Sequence, residues 1–147
     1  MLRHPSLIPL SRQHQHALAL CVLIKRGLSG NPSPEATAKL TRKAADLFEI
    51  ELRSHFDIEE RILFPVIREN LGPTRLAEEL IADHRRLEAL AGKLEQPAVL
   101  REFASVLSTH IRREERELFE QIQARLPPEA LEELGNRIGA EVVRVCL

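Results

Sequence analysis

Tyrosine and tryptophan are absent from this 147-residue chain, and its aromatic content is five phenylalanines. That excludes a tyrosyl radical and leaves no aromatic platform for stacking nucleobases. Cysteine occurs twice, as Cys21 and Cys146, too few and too far apart for a disulfide framework or a thiolate metal site. No sign of charge predominates: 21 Lys and Arg meet 22 Asp and Glu, for a net charge of −1. A balanced chain has no general attraction to nucleic acid or anionic membranes. The longest apolar run, Ala17 to Ile24, is far too short to span a bilayer. Met1 to Leu10 carries two prolines and no apolar segment of the signal-peptide kind. We therefore expect no membrane or nucleic-acid partner, and a cytoplasmic location. What the chain does have is 44% apolar residues, enough for a packed core over one domain spanning 1–147, and six histidines.

Its punctuation divides it into helices. Pro9-Leu10-Ser11 opens an apolar-periodic run that ends around Gly27 to Gly30. Ser33 can cap a second helix with Pro34 in its first turn, and Leu71-Gly72-Pro73 stops it near Asn70. Thr74 caps a third helix reaching Gln96-Pro97. A fourth runs from about Ala98 to Arg125, and a short fifth occupies about 128–145. No alternating stretch bounded by turns is present, so no strand is expected. The pattern predicts an all-α fold: an antiparallel up-down-up-down four-helix bundle over about 11–125, with the fifth helix at its C-terminal end. Pro65, inside the second helix, should kink or end it.

The second and fourth helices repeat each other at an offset of 55. Phe48, Leu52, His55, Glu59, Glu60, Arg61, Leu63, Phe64 and Ile67 recur as Phe103, Leu107, His110, Glu114, Glu115, Arg116, Leu118, Phe119 and Ile122. The first and third helices echo each other at offset 70, where Leu10, His14, Ala19 and Leu20 match Leu80, His84, Ala89 and Leu90. Two related helical hairpins result.

Placement of the polar residues carries the chemistry. Phe48, Leu52, His55, Glu59 and Leu63 share one helical face, as do Phe103, Leu107, His110, Glu114 and Leu118. Each face is apolar on both sides of a His and a Glu one turn apart. A carboxylate buried alone costs several kcal/mol and needs a partner or a metal. His14 and His84 likewise sit in apolar stripes. Four histidines and two glutamates at one level of a bundle suit iron, zinc, manganese or copper, and do not suit calcium or magnesium. Two carboxylates can each bridge two ions while four imidazoles supply two nitrogens to each. With one oxo or hydroxo bridge, each ion has five ligands and one open position. His16 points about 200° away from His14; the offset-70 register favours His14 as the ligand, with His16 the alternative. His4 precedes the first helix and is expected in solvent. Cys21 is expected in the core, and Glu60 and Glu115 are expected to pair outward with Arg61 or Arg116. Glu51, one turn before His55, is expected either at the rim or behind a ligand.

His14, His55-x-x-x-Glu59, His84 and His110-x-x-x-Glu114 together resemble the hemerythrin-like, HHE cation-binding domain, and the likeness covers about 11–125. The stretch His55 to Pro65 and the run Ala82-Asp83-His84 are typical of its bacterial members. The resemblance implies a non-haem di-iron centre bridged by Glu59 and Glu114. Its oxygen carriers have a fifth histidine one turn from the third-helix histidine, where this chain has Leu80 and Glu88. They also use an Asp five residues after the last His, where this chain offers Glu114 at four and Glu115 at five. The four-His, two-Glu set is similar instead to hemerythrin-like domains of iron-sensing and iron-centre-repair proteins.

The expectation is a protein with two iron ions, zinc or manganese being alternative occupants, that senses or handles oxygen, nitric oxide, peroxide or iron itself. The competing readings are an oxidoreductase acting on peroxide or nitric oxide, and a purely structural bundle that associates through its fifth helix. No protein partner is identified by the sequence.

Overall fold

A 3-10 turn, Pro5–Leu7, leads into α1, Ile8–Leu28. Helix α2 covers residues 34–71, α3 is Arg75–Ala91, α4 covers residues 97–125 and α5 is Pro128–Cys146. The structure, a computed structural model, describes residues 2–146, with side chains to residue 142, so the Cys146 side chain lies outside it. Among the described residues there is no strand, and no helix is long and apolar enough to cross a membrane. The third helix ends at Ala91, short of the expected Gln96, because residues 92–96 form turns before Pro97 restarts the chain.

Local chemistry accounts for the boundaries. The Ser33 hydroxyl accepts the Ala36 N–H and the Thr74 hydroxyl accepts the Ala77 N–H, each at 3.1 Å, so both expected caps form. Gly72 closes α2 with φ of 81°, a conformation that costs glycine little, and its N–H reaches the Arg68 carbonyl. At Gly27 a Cβ would lie 2.5 Å from Leu40 Cδ1, so a larger residue there would require the Leu40 side chain to shift.

The core is two apolar clusters. One gathers Ala17, Leu20, Cys21, Ile24, Phe48, Leu52, Phe103 and Leu107 from α1, α2 and α4, joined by Leu87 of α3. Cys21 is buried there as expected, and burial pushes its thiol up to about 11, which keeps it protonated. The other joins Leu7, Leu10, Leu63, Ile67, Leu80 and Ile122 to Leu131, Leu134 and Ile138 of α5. Among the described residues, helix α5 therefore packs its apolar side chains against its own chain.

Helices α2 and α4 are not uniformly α-helical. Phe48–Leu52, Glu59–Leu63 and Glu114–Leu118 are π-helical, with N–H groups bonding five residues back. Pro65 does not end α2, which continues to Leu71; its missing N–H falls just beyond the π turn at Glu59–Leu63. The proline is not the cause of that turn. The repeat-related turn at Glu114–Leu118 forms with Glu120 in the equivalent place. One extra residue per turn faces two consecutive side chains inward, so Leu63 and Phe64 are both buried, as are Leu118 and Phe119.

Candidate metal centre

The six residues singled out by pattern come together. His14 from α1, His55 and Glu59 from α2, His84 from α3, and His110 and Glu114 from α4 are all at most 2% exposed. They form two overlapping groups, His14, His55, Glu59 and Glu114 on one side, and Glu59, His84, His110 and Glu114 on the other. Within each group one donor atom per residue lies within 4.8 Å of all the rest. His16 does not join them: it is exposed and its Nδ1 meets the Glu51 carboxylate at 2.9 Å. Glu51 is thereby a rim charge.

Both glutamates belong to both groups, and their two oxygens divide between them. Glu59 Oε2 lies 3.2 Å from His55 Nε2, and its Oε1 lies 3.0 Å from His84 Nε2. Glu114 Oε2 lies 3.0 Å from His14 Nε2, and its Oε1 lies 2.8 Å from His110 Nε2. These are close approaches without hydrogen-bond geometry: all four carboxylate oxygens, with His84 Nε2 and His110 Nε2, are buried and lack a hydrogen-bond partner. His14 Nε2 and His55 Nε2 stand 3.0 Å apart. Buried polar atoms are almost always satisfied, so a convergence of unpaired acceptors fits a cation held between them.

The rear nitrogens fix which face each ring presents. His14 Nδ1 donates to Glu115 at 2.6 Å, His84 Nδ1 to Glu60 at 2.9 Å, His110 Nδ1 to Asp83 at 3.0 Å and His55 Nδ1 to Gln13 at 2.7 Å. Carboxylates and the amide oxygen only accept, so each Nδ1 carries hydrogen and each Nε2 is the inward donor atom once the ring is neutral. Such rear partners orient metal-binding imidazoles and raise their basicity. Glu60 and Glu115 therefore do not simply pair outward with Arg61 and Arg116. Glu115 also accepts from Ser11 and lies beside Arg3, and Glu60 also pairs with Arg85. His4 is half-buried rather than in solvent, because its ring accepts the Ser6 N–H at the start of the 3-10 turn.

Aromatic rings pack the rest of the shell. Phe56 stacks on His84 with centroids 4.0 Å apart, and Phe119 on His14 at 5.6 Å. Phe64 lies 6.0 Å from His84. Phe64 and Phe119 each follow a glutamate of the cluster by five residues, where the π turns deliver them.

Charge within the cluster is strongly coupled. Burial opposes a charged His14, but the neighbouring Glu114 carboxylate and the bond to Glu115 prevail and raise it to about 9. His110 is raised to about 10, against burial, by the Glu114 charge and the Asp83 bond. Burial lowers His84, with help from the charge on His110.

A family model described as the hemerythrin HHE cation-binding domain matches residues 9–122. The chain belongs to this family. No curated protein and no solved structure matches it. Family membership identifies a cation-binding protein, and the buried His and Glu groups are residues able to bind that cation. Two positions set this member of the HHE family apart from the oxygen-carrier pattern. Leu80 is packed in the apolar core, and Glu88 turns to Arg85 at 2.6 Å. Neither adds a fifth imidazole to the cluster.

Proposed function

We propose that His14, His55, Glu59, His84, His110 and Glu114 hold two iron ions, one beside each histidine pair, and that the protein senses or handles a small ligand there: oxygen, nitric oxide, peroxide or iron itself. The observation that carries this reading is the division of Glu59 and Glu114 oxygens between the two histidine pairs. A carboxylate that turns one oxygen each way is disposed to bridge. Iron in such a site supplies a ferrous-ferric couple and an affinity for small oxygen- and nitrogen-containing ligands.

The chain's own groups do the rest. Glu115, Glu60, Asp83 and Gln13 hold the imidazoles in the Nδ1–H tautomer. Phe56, Phe64 and Phe119 keep bulk water from the donors, and Leu10, Leu80 and Leu118 close the layer from one side. We further propose one domain over 1–147 whose four ligand-bearing helices run up-down-up-down antiparallel, the arrangement that brings one donor layer from four helices to a common level. A cytoplasmic location remains part of this reading.

The test is reconstitution with ferrous iron under nitrogen, followed by metal analysis and spectra before and after addition of nitric oxide or peroxide. Two irons per chain, with near-ultraviolet charge-transfer bands on oxidation and a spectral response to one of these ligands, are expected. A chain that binds no iron, or one whose spectrum ignores all of them, contradicts the reading.

A further inference from the structure

The internal repeat relates the two halves of the centre by an approximate two-fold rotation, and among the partners behind the four histidines one position breaks it in charge. At offset 55, Glu60 behind His84 corresponds to Glu115 behind His14. At offset 70, Asp83 behind His110 corresponds to Gln13 behind His55. The first correspondence is equal in charge, and each of its glutamates is also offset by an arginine, Arg85 for Glu60 and Arg3 for Glu115. The second is unequal. Gln13 is neutral and buried, whereas Asp83 is a partly buried carboxylate, and no arginine or lysine pairs with it among the described residues.

We propose that Asp83 makes the two metal positions unequal, so that the His84–His110 half fills first. This rests on the two-ion reading above. A carboxylate behind an imidazole raises its strength as a donor. It also adds a negative charge on the far side of the His110 ring that the neutral Gln13 does not add behind His55. Around His55, Gln13 supplies the same orientation and none of the charge. Asp83 is thus a positioning residue whose charge, rather than its shape, sets the order of filling.

The experiment titrates the metal-free protein with Co(II) under nitrogen. It follows capacity by chelator competition and site occupancy by hyperfine-shifted NMR of isotope-labelled histidines. The wild type should take two ions in order, the first shifting His84 and His110 ahead of His14 and His55. Asp83→Asn keeps size and hydrogen-bonding reach, and should weaken the first ion about 10- to 100-fold while changing the second little. Gln13→Glu should tighten the second ion and bring the two affinities together, and helical circular dichroism checks that both variants fold. Two ions that fill together or in reverse order, or an Asp83→Asn variant with unchanged order, overturn the proposal and leave the two-ion reading standing. A capacity of one ion per chain overturns both.

Discussion

Glu59 and Glu114 are wholly buried neighbours held in opposite protonation tendencies. Burial and the negative charge of Glu114 push Glu59 up to about 7. Burial acts on Glu114 the same way, but the His110 charge and the close approach of His110 and His14 outweigh it and hold this carboxyl well below its usual range. Two carboxylates so close cannot both stay charged without a cation, and each has one oxygen toward either histidine pair.

Replacing either glutamate should therefore cost more than half a site. Glu59→Gln and Glu114→Gln preserve volume but remove the second charged oxygen, and each should reduce bound iron to one or fewer per chain. Glu59→Ala and Glu114→Ala should also loosen the fold. Metal analysis of the reconstituted variants decides it, and two irons retained in either glutamine variant contradicts bridging.

Ligands drawn from four helices tie metal binding to folding. At metal concentrations a hundredfold above Kd, the native state should gain about 3 kcal/mol per ion bound, a Tm rise on the order of 5–10 °C for each ion in a chain of this size. A chelator should abolish the gain. Calorimetry that gives the same Tm with iron and with chelator speaks against ligation from separate helices.

The pH response should change sign with the metal. His14 and His110 are raised in the folded protein, to about 9 and about 10. Their contribution to metal-free stability is complete below the ordinary histidine value and is lost as pH rises through 9 to 10. Glu59 is raised to about 7, so its ionisation opposes folding as pH climbs from the ordinary carboxyl range toward 7. The metal-free protein should thus lose stability toward alkaline pH. Metal uptake at pH 7 must expel the protons on His14 and His110, so affinity should rise with pH over the same range. Denaturant titrations with chelator, and calorimetric binding in buffers of different ionisation enthalpy, measure the two slopes. Metal-free stability that increases from pH 7 to 10 is incompatible with these assignments.

Reversible oxygen carriage is not expected. Leu80 is in the core and Glu88 is paired with Arg85, so neither histidine pair gains a further nitrogen to make one ion saturated and the other open. Reduced, iron-loaded protein exposed to air and then purged should stay oxidised until a reductant is added. Spontaneous return of the diferrous spectrum on purging would show that four imidazoles suffice for carriage.

Much of this centre is legible from residue order because two signals reinforce each other. The spacing of His55 to Glu59 and of His110 to Glu114 places each pair on one apolar face, and the 55-residue repeat shows the same device twice. His14 over His16 follows from the 70-residue echo alone, and the structure agrees. Glu60 and Glu115 are harder to read, because an ideal α-helix turns them about 100° away from the cluster. The π turns begin at Glu59 and Glu114, just where that extrapolation is made, and no residue pattern announces them. Gln13 and Asp83 act across to a neighbouring helix, a contact that intrahelical periodicity does not carry. Their equivalence at offset 70 was the available signal. The early stop of α3 at Ala91 reflects turns at 92–96 that carry Leu94 into the core, where a continuing helix would also have placed an apolar residue.

Anomalous diffraction at the iron edge, from crystals of the iron-loaded protein, locates the ions directly. Two peaks are expected, one beside His14 and His55 and the other beside His84 and His110, with Glu59 and Glu114 contacting both. A single peak, or iron bound away from these six residues, contradicts a dinuclear centre.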